Sequence, residues 1–196
     1  MTTVATVIYD QGAIIAADMQ VTEPQFLNKI KIDMEKIFSI DNYCFVGIAG
    51  IPAVSEIVHD AKLVLDFWRR AYGDVSVDGK FNHFCHALKN IQTSLILMAS
   101  FDKNKQKGRI FHISSLFSLE FSKTGFCAIG SGAPPALISL EKDRYTFHDS
   151  YRDAVRKVLD ALQCSHEGNL GVGPKFIGYK IENSGATKID FENLGG

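Results

Sequence analysis

This 196-residue sequence is short of several things that usually announce a role. It has no excess charge of either sign: 21 Lys and Arg against 22 Asp and Glu leave a formal net charge of -1. That balance gives no basic surface of the kind that nucleic acid or an anionic membrane would select. Its most apolar run, Ser94 to Phe101, is far shorter than the roughly 20 residues a membrane helix needs. The start of the chain carries neither a basic leader nor an apolar stretch. Its four cysteines, Cys44, Cys85, Cys127 and Cys164, contain no C-x-x-C pair, which argues against a compact zinc site and for reduced cytosolic thiols. A cytoplasmic protein without nucleic-acid or membrane partners is expected.

What is present is a core: 46% of residues are hydrophobic and 22% are charged. That composition excludes a disordered chain, and no linker or repeat divides the sequence. One domain over residues 1–196 is expected. Thr2 to Tyr9 and Ala13 to Asp18 read as a β-hairpin, as do Lys36 to Ile40 and Tyr43 to Ala49. Apolar residues at helical spacing from Val54 to Trp68 predict a helix, and a second is expected over Phe81 to Thr93. Strands follow at Leu95 to Phe101, Arg109 to Ser114, Phe117 to Phe121 and Cys127 to Ile129. Helices come next at Ala136 to Glu141 and Tyr151 to Leu162, and strands at Lys175 to Ile181 and Thr187 to Phe191 end the chain. Helices grouped in pairs suit outer layers on antiparallel sheets, so the expected fold class is α+β, a four-layer αββα sandwich.

Thr2 carries the first chemical signal. Methionine before a residue this small is normally trimmed, and trimming would place a hydroxyl and a free α-amine on one residue. Such an amine can serve as the base for its own hydroxyl. With a pKa of about 7.7–8.0, roughly a tenth of it is unprotonated at neutral pH, and a nearby cation raises that fraction. A three-residue loop at Asp10-Gln11-Gly12, with Gly12 left-handed, would set Val4 opposite Asp18. Thr2 would then be the same-face diagonal neighbour of Asp18, with α-carbons about 7–8 Å apart. Asp18 at the end of an apolar strand calls for a cationic partner, which Lys36 can supply, and the Gly50 N–H can serve as an oxyanion donor. Each also has an ordinary reading: a strand-end acceptor, a surface lysine and a helix-entry glycine.

Taken together, Thr2-Thr3-Val4, Ala16-Ala17-Asp18-Met19-Gln20-Val21-Thr22, Glu35-Lys36-Ile37, Ile48-Ala49-Gly50 and Ala128-Ile129-Gly130-Ser131-Gly132-Ala133-Pro134 resemble the proteasome β-type family of N-terminal nucleophile hydrolases. Within it, the sequence is most similar to bacterial HslV and to small stand-alone bacterial homologues of the betaproteobacterial type. The resemblance implies Thr2 as nucleophile, Asp18 and Lys36 as its charge pair, Gly50 as oxyanion donor and Ser131 as a hydroxyl holding the α-amine and its water. It also implies a substrate pocket from Val21, Thr22, Met34, Ile48 and Pro52. One departure stands out: where active β-type subunits usually carry an Asp and, three residues on, a Ser, this chain has Asn169 and Val172.

The implied activity is that of a threonine-type endopeptidase acting on unfolded polypeptide inside two stacked rings, 12 or 14 copies of the chain, with an ATPase unfoldase as a further partner. A catalytically silent ring subunit and an amidohydrolase of small-molecule amides are the rivals. No cofactor is expected beyond room for a structural monovalent or divalent cation. His83 and His86 lie three apart with Cys85 between them and could share a helix face as metal ligands, but a third ligand in recognisable spacing is lacking, and a helix surface is their ordinary reading. The Pro134-Pro135 pair and the glycines at 168, 171 and 173 suggest shaped loops, but no glycine-rich turn precedes a helix as a nucleotide site requires.

Overall fold

The computed structural model describes residues 2–22, 31–33, 35–50, 78–79, 82, 95–114, 118–142, 149–168 and 172–191. Twelve strands and two complete helices are formed by these residues. The first sheet has the order β10-β1-β2-β11-β12, with β1 at Val4–Tyr9, β2 at Gly12–Asp18, β10 at Phe126–Ile129, β11 at Phe176–Glu182 and β12 at Gly185–Lys188. The second is a meander of β5 (Ile37–Asp41), β6 (Cys44–Ala49), β7 (Leu95–Asp102), β8 (Lys107–Ile113) and β9 (Ser118–Glu120). All their pairings are antiparallel.

Every residue of β1 and β2 is buried, because this sheet is covered on both faces. Side chains alternate across a strand. Val4, Ile8, Ala13, Ile15 and Ala17 therefore share a core with Phe45, Ala49, Leu97, Ala99 and Phe101 of the second sheet. Ala5, Val7, Tyr9, Ile14 and Ala16 meet helices α1 (Ala133–Lys142) and α2 (Tyr151–Gly168). Each large aliphatic side chain so buried contributes roughly 1.5–3 kcal/mol. Helix α2 supplies an apolar stripe at Ala154, Val155, Val158, Ala161 and Leu162. Ser150 caps its start. The Ser150 Oγ accepts the Asp153 N–H at 3.3 Å.

The α+β sandwich is as expected, with helices, first sheet and second sheet as three of its layers. The helices expected at Val54 to Trp68 and Phe81 to Thr93 lie outside the described residues, apart from residue 82, which is helical, as are residues 78–79 ahead of the second range. Boundaries shift in physically intelligible ways. Helix α1 begins at Ala133 rather than Ala136, because Pro134 and Pro135 fall in the first turn, where their missing N–H groups cost nothing. Helix α2 continues past Leu162 to Gly168. The last strand is Gly185–Lys188 rather than Thr187 to Phe191: Ile189 and Phe191 are apolar because they pack on the helix-side core from beyond the strand. A short ribbon of β3 (Gln20–Thr22) with β4 (Lys31–Asp33) was not signalled by the sequence.

One expectation about the first hairpin is overturned. Tyr9 pairs with Gly12 and Val4 with Ala17, so the loop is the two residues Asp10 and Gln11, and the register differs by one from that read from the sequence. Gly12 is not left-handed; among the described glycines positive φ occurs at Gly50, Gly125, Gly130 and Gly185. Glycine is needed at 12 because a Cβ there would run into the Ile181 carbonyl of β11. The shift puts Asp18 beside Thr3.

Candidate active site

The site gathers where β1 begins and β2 ends. The Asp18 N–H donates to the Thr3 carbonyl at 3.2 Å, and the Thr3 N–H returns a 2.7 Å bond to Asp18 Oδ1. Thr2 thus immediately precedes the carboxylate's own backbone partner, just ahead of β1. Its carbonyl accepts the Gly132 N–H at 3.3 Å, and its N lies 3.3 Å from Ser131 Oγ. The turn that brings Ser131 there depends on Gly130, whose φ is 95°. A side chain at that position would overlap the Thr2 carbonyl.

Lys36 enters from the other sheet. Its carbonyl accepts the Ile48 N–H of β6 at 3.0 Å, anchoring the backbone, while Nζ reaches Asp18 Oδ2 at 2.8 Å and the Gln20 carbonyl at 2.5 Å. Both members of the ion pair are buried, at 5% and 0% exposure. Burial pushes the Lys36 ammonium below its ordinary pKa, and the Asp18 charge and hydrogen bond hold it up in part. Asp18 Oδ2 also accepts N–H groups from Gln20 at 3.2 Å and Gly173 at 3.3 Å. The carboxylate is therefore fixed by three backbone donors and one cation, a firm mount for a charge that must not wander.

Gly50 follows β6 with a φ of 145°. Side-chain-bearing residues avoid that conformation, and the residue is exposed. The preceding residue, Ala49, packs against the Gly130 turn beneath Thr2. The structure thus brings Thr2, Asp18, Lys36 and Ser131 into one bonded cluster, with Gly50 next in sequence to a residue that touches it. Of the expected pocket residues, Ile48 is buried in β6, and Val21 and Thr22 are paired in β3 with Ile32 and Lys31. Met34, Pro52 and Asn169 lie outside the described residues, as do His83, Cys85 and His86. Val172 is fully buried and packs against the Gly132 turn. Among the described residues no group of three His, Cys, Asp or Glu side chains could hold a metal. Cys127 is buried and free, its thiol pushed up to about 11, as suits an inert core residue.

Sequence reasoning missed Gln20, Gly173, Ser165 and His166. Gln20 and Gly173 act through backbone groups, which leave no mark in a side-chain pattern; a Cβ at Gly173 would collide with that of Gln20. Ser165 Oγ donates to the Gly132 carbonyl at 2.7 Å, and His166 Nδ1 lies 2.6 Å from the Val172 carbonyl.

A family model described as proteasome subunit matches residues 1–179. The chain belongs to the proteasome subunit family. It is 30% identical over 181 residues to a proteasome subunit beta of Frankia casuarinae and 29% identical to one of Parafrankia sp., in each case over 88% of this chain and 65% of the relative. It is also 27% identical over 212 residues to a proteasome subunit beta of Saccharopolyspora erythraea, covering 97% of this chain and 74% of the relative. The chain therefore spans just under two thirds of the length of the Frankia and Parafrankia proteins. Its place in the proteasome subunit family and its two stacked sheets agree with the N-terminal nucleophile hydrolase fold. Among the described residues, no helix of this proteasome-family chain is long and apolar enough to cross a membrane.

Proposed function

We propose that this proteasome-family chain is a threonine-type endopeptidase subunit that cleaves unfolded polypeptide. Removal of Met1 would give Thr2 a free amine. Thr2 Oγ then attacks a peptide carbonyl, the amine takes the hydroxyl proton through a water held with Ser131, and the Gly50 N–H stabilises the oxyanion. The amine leaving group departs protonated, and water hydrolyses the Thr2 ester to restore the enzyme. Lys36 makes this possible at neutral pH: a fixed positive charge beside the strand start lowers the proton affinity of the Thr2 amine and hydroxyl. The observation that carries the reading is the buried 2.8 Å Lys36–Asp18 ion pair, mounted on the residue that follows Thr2.

Val21, Thr22, Met34, Ile48 and Pro52 would line the pocket for the residue before the cut, and their mainly apolar character predicts preference for large apolar side chains. An open site of this kind would attack any unfolded chain, so we place it inside stacked rings of identical subunits, of six or seven each, in the cytoplasm, supplied by an ATPase unfoldase. The silent-subunit reading has one observation in its favour: Val172 is apolar and buried where active relatives usually carry a hydroxyl.

Intact mass and an N-terminal-threonine-directed epoxyketone separate the two. We expect a mature mass lower by one methionine, a covalent adduct on Thr2, and loss of both adduct and peptide hydrolysis in Thr2→Ala with assembly unchanged by light scattering. Full activity in protein that retains Met1 would overturn the mechanism. A processed chain that neither hydrolyses peptides nor forms the adduct would establish the silent subunit.

A further inference from the structure

The end of helix α2 touches the site from the side that the proposed chemistry leaves unused. Two consecutive residues there, Ser165 and His166, reach two different turns. Ser165 Oγ donates to the Gly132 carbonyl at 2.7 Å, bracing the turn that carries Ser131 and receives the Thr2 carbonyl. His166 Nδ1 lies 2.6 Å from the carbonyl of Val172, and the next residue, Gly173, gives its N–H to Asp18 Oδ2 at 3.3 Å. A carbonyl oxygen only accepts, so Nδ1 carries a proton and donates it to this bond. The chain of contact runs from a rigid, core-packed helix through one imidazole and one peptide unit to the carboxylate that pairs with Lys36.

We propose that His166 is a positioning residue: by holding the Val172 carbonyl it aims the neighbouring Gly173 N–H at Asp18 and so fixes the carboxylate that orients Lys36. Val172 is fully buried against the Gly132 turn, so the peptide between it and Gly173 has one packed side, and His166 pins its carbonyl. Loss of that pin frees the peptide to rotate about its ends. Asp18 Oδ2 then loses one of its backbone donors while keeping Gln20 and Lys36. The consequence is a looser charge pair rather than a collapsed site.

This inference rests on the peptidase reading, and the test keeps the two apart. Wild-type enzyme, His166→Ala and His166→Asn are assembled and assayed on one fluorogenic apolar peptide, with the rate of epoxyketone addition measured in parallel. Asn offers an N–H donor close to the position of Nδ1. We expect His166→Ala to lower kcat and the addition rate about five- to tenfold, the scale of one lost hydrogen bond, with KM within about twofold of wild type. His166→Asn should recover most of both rates. Faster amide exchange in His166→Ala should be confined to peptides spanning Val172 to Phe176. Should His166→Ala fail to assemble, His166→Leu, closer in volume but without a donor, takes its place. Wild-type rates in the donor-less variant, or equal impairment with and without the donor in His166→Asn, would overturn the assignment. Inactive wild-type enzyme would instead overturn the peptidase reading on which it stands.

Discussion

Among the described residues two cationic side chains are buried, Lys36 and Arg109, each at 5% exposure, and their surroundings treat them oppositely. Arg109, on β8, is oversupplied with negative charge. Its Nε and Nη2 bond both Glu120 oxygens at 2.8 and 2.9 Å, Nη1 bonds Asp78 at 2.8 Å, and Asp102 lies 3.6 Å away. The hydrogen bonds to Glu120 outweigh burial and raise the guanidinium's pKa further. Lys36 pairs with the Asp18 carboxylate and, for it, burial outweighs attraction, so its pKa is lowered. An over-compensated cation is an anchor, tying strands β8 and β9 together. Lys36 is buried with Asp18 away from water, where its field on a neighbouring group is less screened than at the surface, and such a field is what the proposed self-activated nucleophile needs.

The sharpest way to break this contrast is to replace each cation by a neutral side chain of similar length. Lys36→Met should lower kcat/KM about 10²–10⁴-fold, the scale of a lost acid–base or charge effect. Its stability should also fall, by about 3–5 kcal/mol, because the fully buried Asp18 carboxylate loses its cation. Asp18 keeps the N–H groups of Thr3, Gln20 and Gly173. Arg109→Met should leave kcat within about threefold of wild type while costing about 2–3 kcal/mol in stability. Asp78 and Glu120 regain water, but Asp102 remains buried without the cation. Peptide kinetics and thermal melting on the two assembled variants decide it. A folded Arg109→Met that loses activity, or a Lys36→Met with wild-type kinetics, removes the distinction.

The two clusters also differ in how far they can be read from sequence. Asp18 and Lys36 are legible because a charge closing or opening an apolar strand needs a partner, and each can nominate the other. The Arg109 cluster is not, since its acids come from three separate segments and only the fold brings Asp78, Asp102 and Glu120 to one guanidinium. The same limit explains the hairpin. Gly12 looks like a turn glycine, yet its smallness answers to Ile181, nearly the whole chain away, so it says nothing of the loop length or of the register that puts Asp18 beside Thr3. Strand alternation and the α2 stripe are local and readable; backbone donors such as Gly173 are not, because every residue but proline has one.

Acid and alkali should separate the clusters next, with smaller effects. The Arg109 hydrogen bonds hold Glu120 down to about 2 from an ordinary 4.5. Its folded pKa is depressed, so the pair's contribution is present above about 4.5 and lost as pH falls from there toward 2. Glu120→Gln should flatten that part of the acid unfolding curve. Lys36 has a linkage of the same sign in the alkaline range, since its folded pKa is also lowered. Between its lowered pKa and 10.5 the unfolded chain binds more protons than the folded one, so this group's contribution to stability rises with pH. Activity should fall over the same interval as the ammonium is lost. Alkaline activity loss that tracks unfolding, rather than preceding it, would count against a functional Lys36 charge.

The smallest expected effect concerns a hydroxyl beside each cluster. Thr3 Oγ1, next to Asp18's backbone partner, and Ser100 Oγ, opposite Arg109 in the sheet, are both buried, and neither has a hydrogen-bond partner among the described residues. Burying an unpaired hydroxyl is unfavourable, so removing it should be neutral or slightly stabilising, within about 1 kcal/mol, if nothing else relies on it. Ser100→Ala meets that condition and should melt at or just above the wild-type temperature. Thr3→Val keeps the shape and the N–H that bonds Asp18, so it should behave alike in melting and keep kcat within about threefold of wild type. The two variants then serve as a control on the whole comparison. A loss of activity confined to Thr3→Val, at unchanged stability, would mean that the site draws on a third hydroxyl beyond Thr2 and Ser131. The Lys36–Asp18 pair would then be part of a larger polar network, and its field would no longer act on Thr2 by itself.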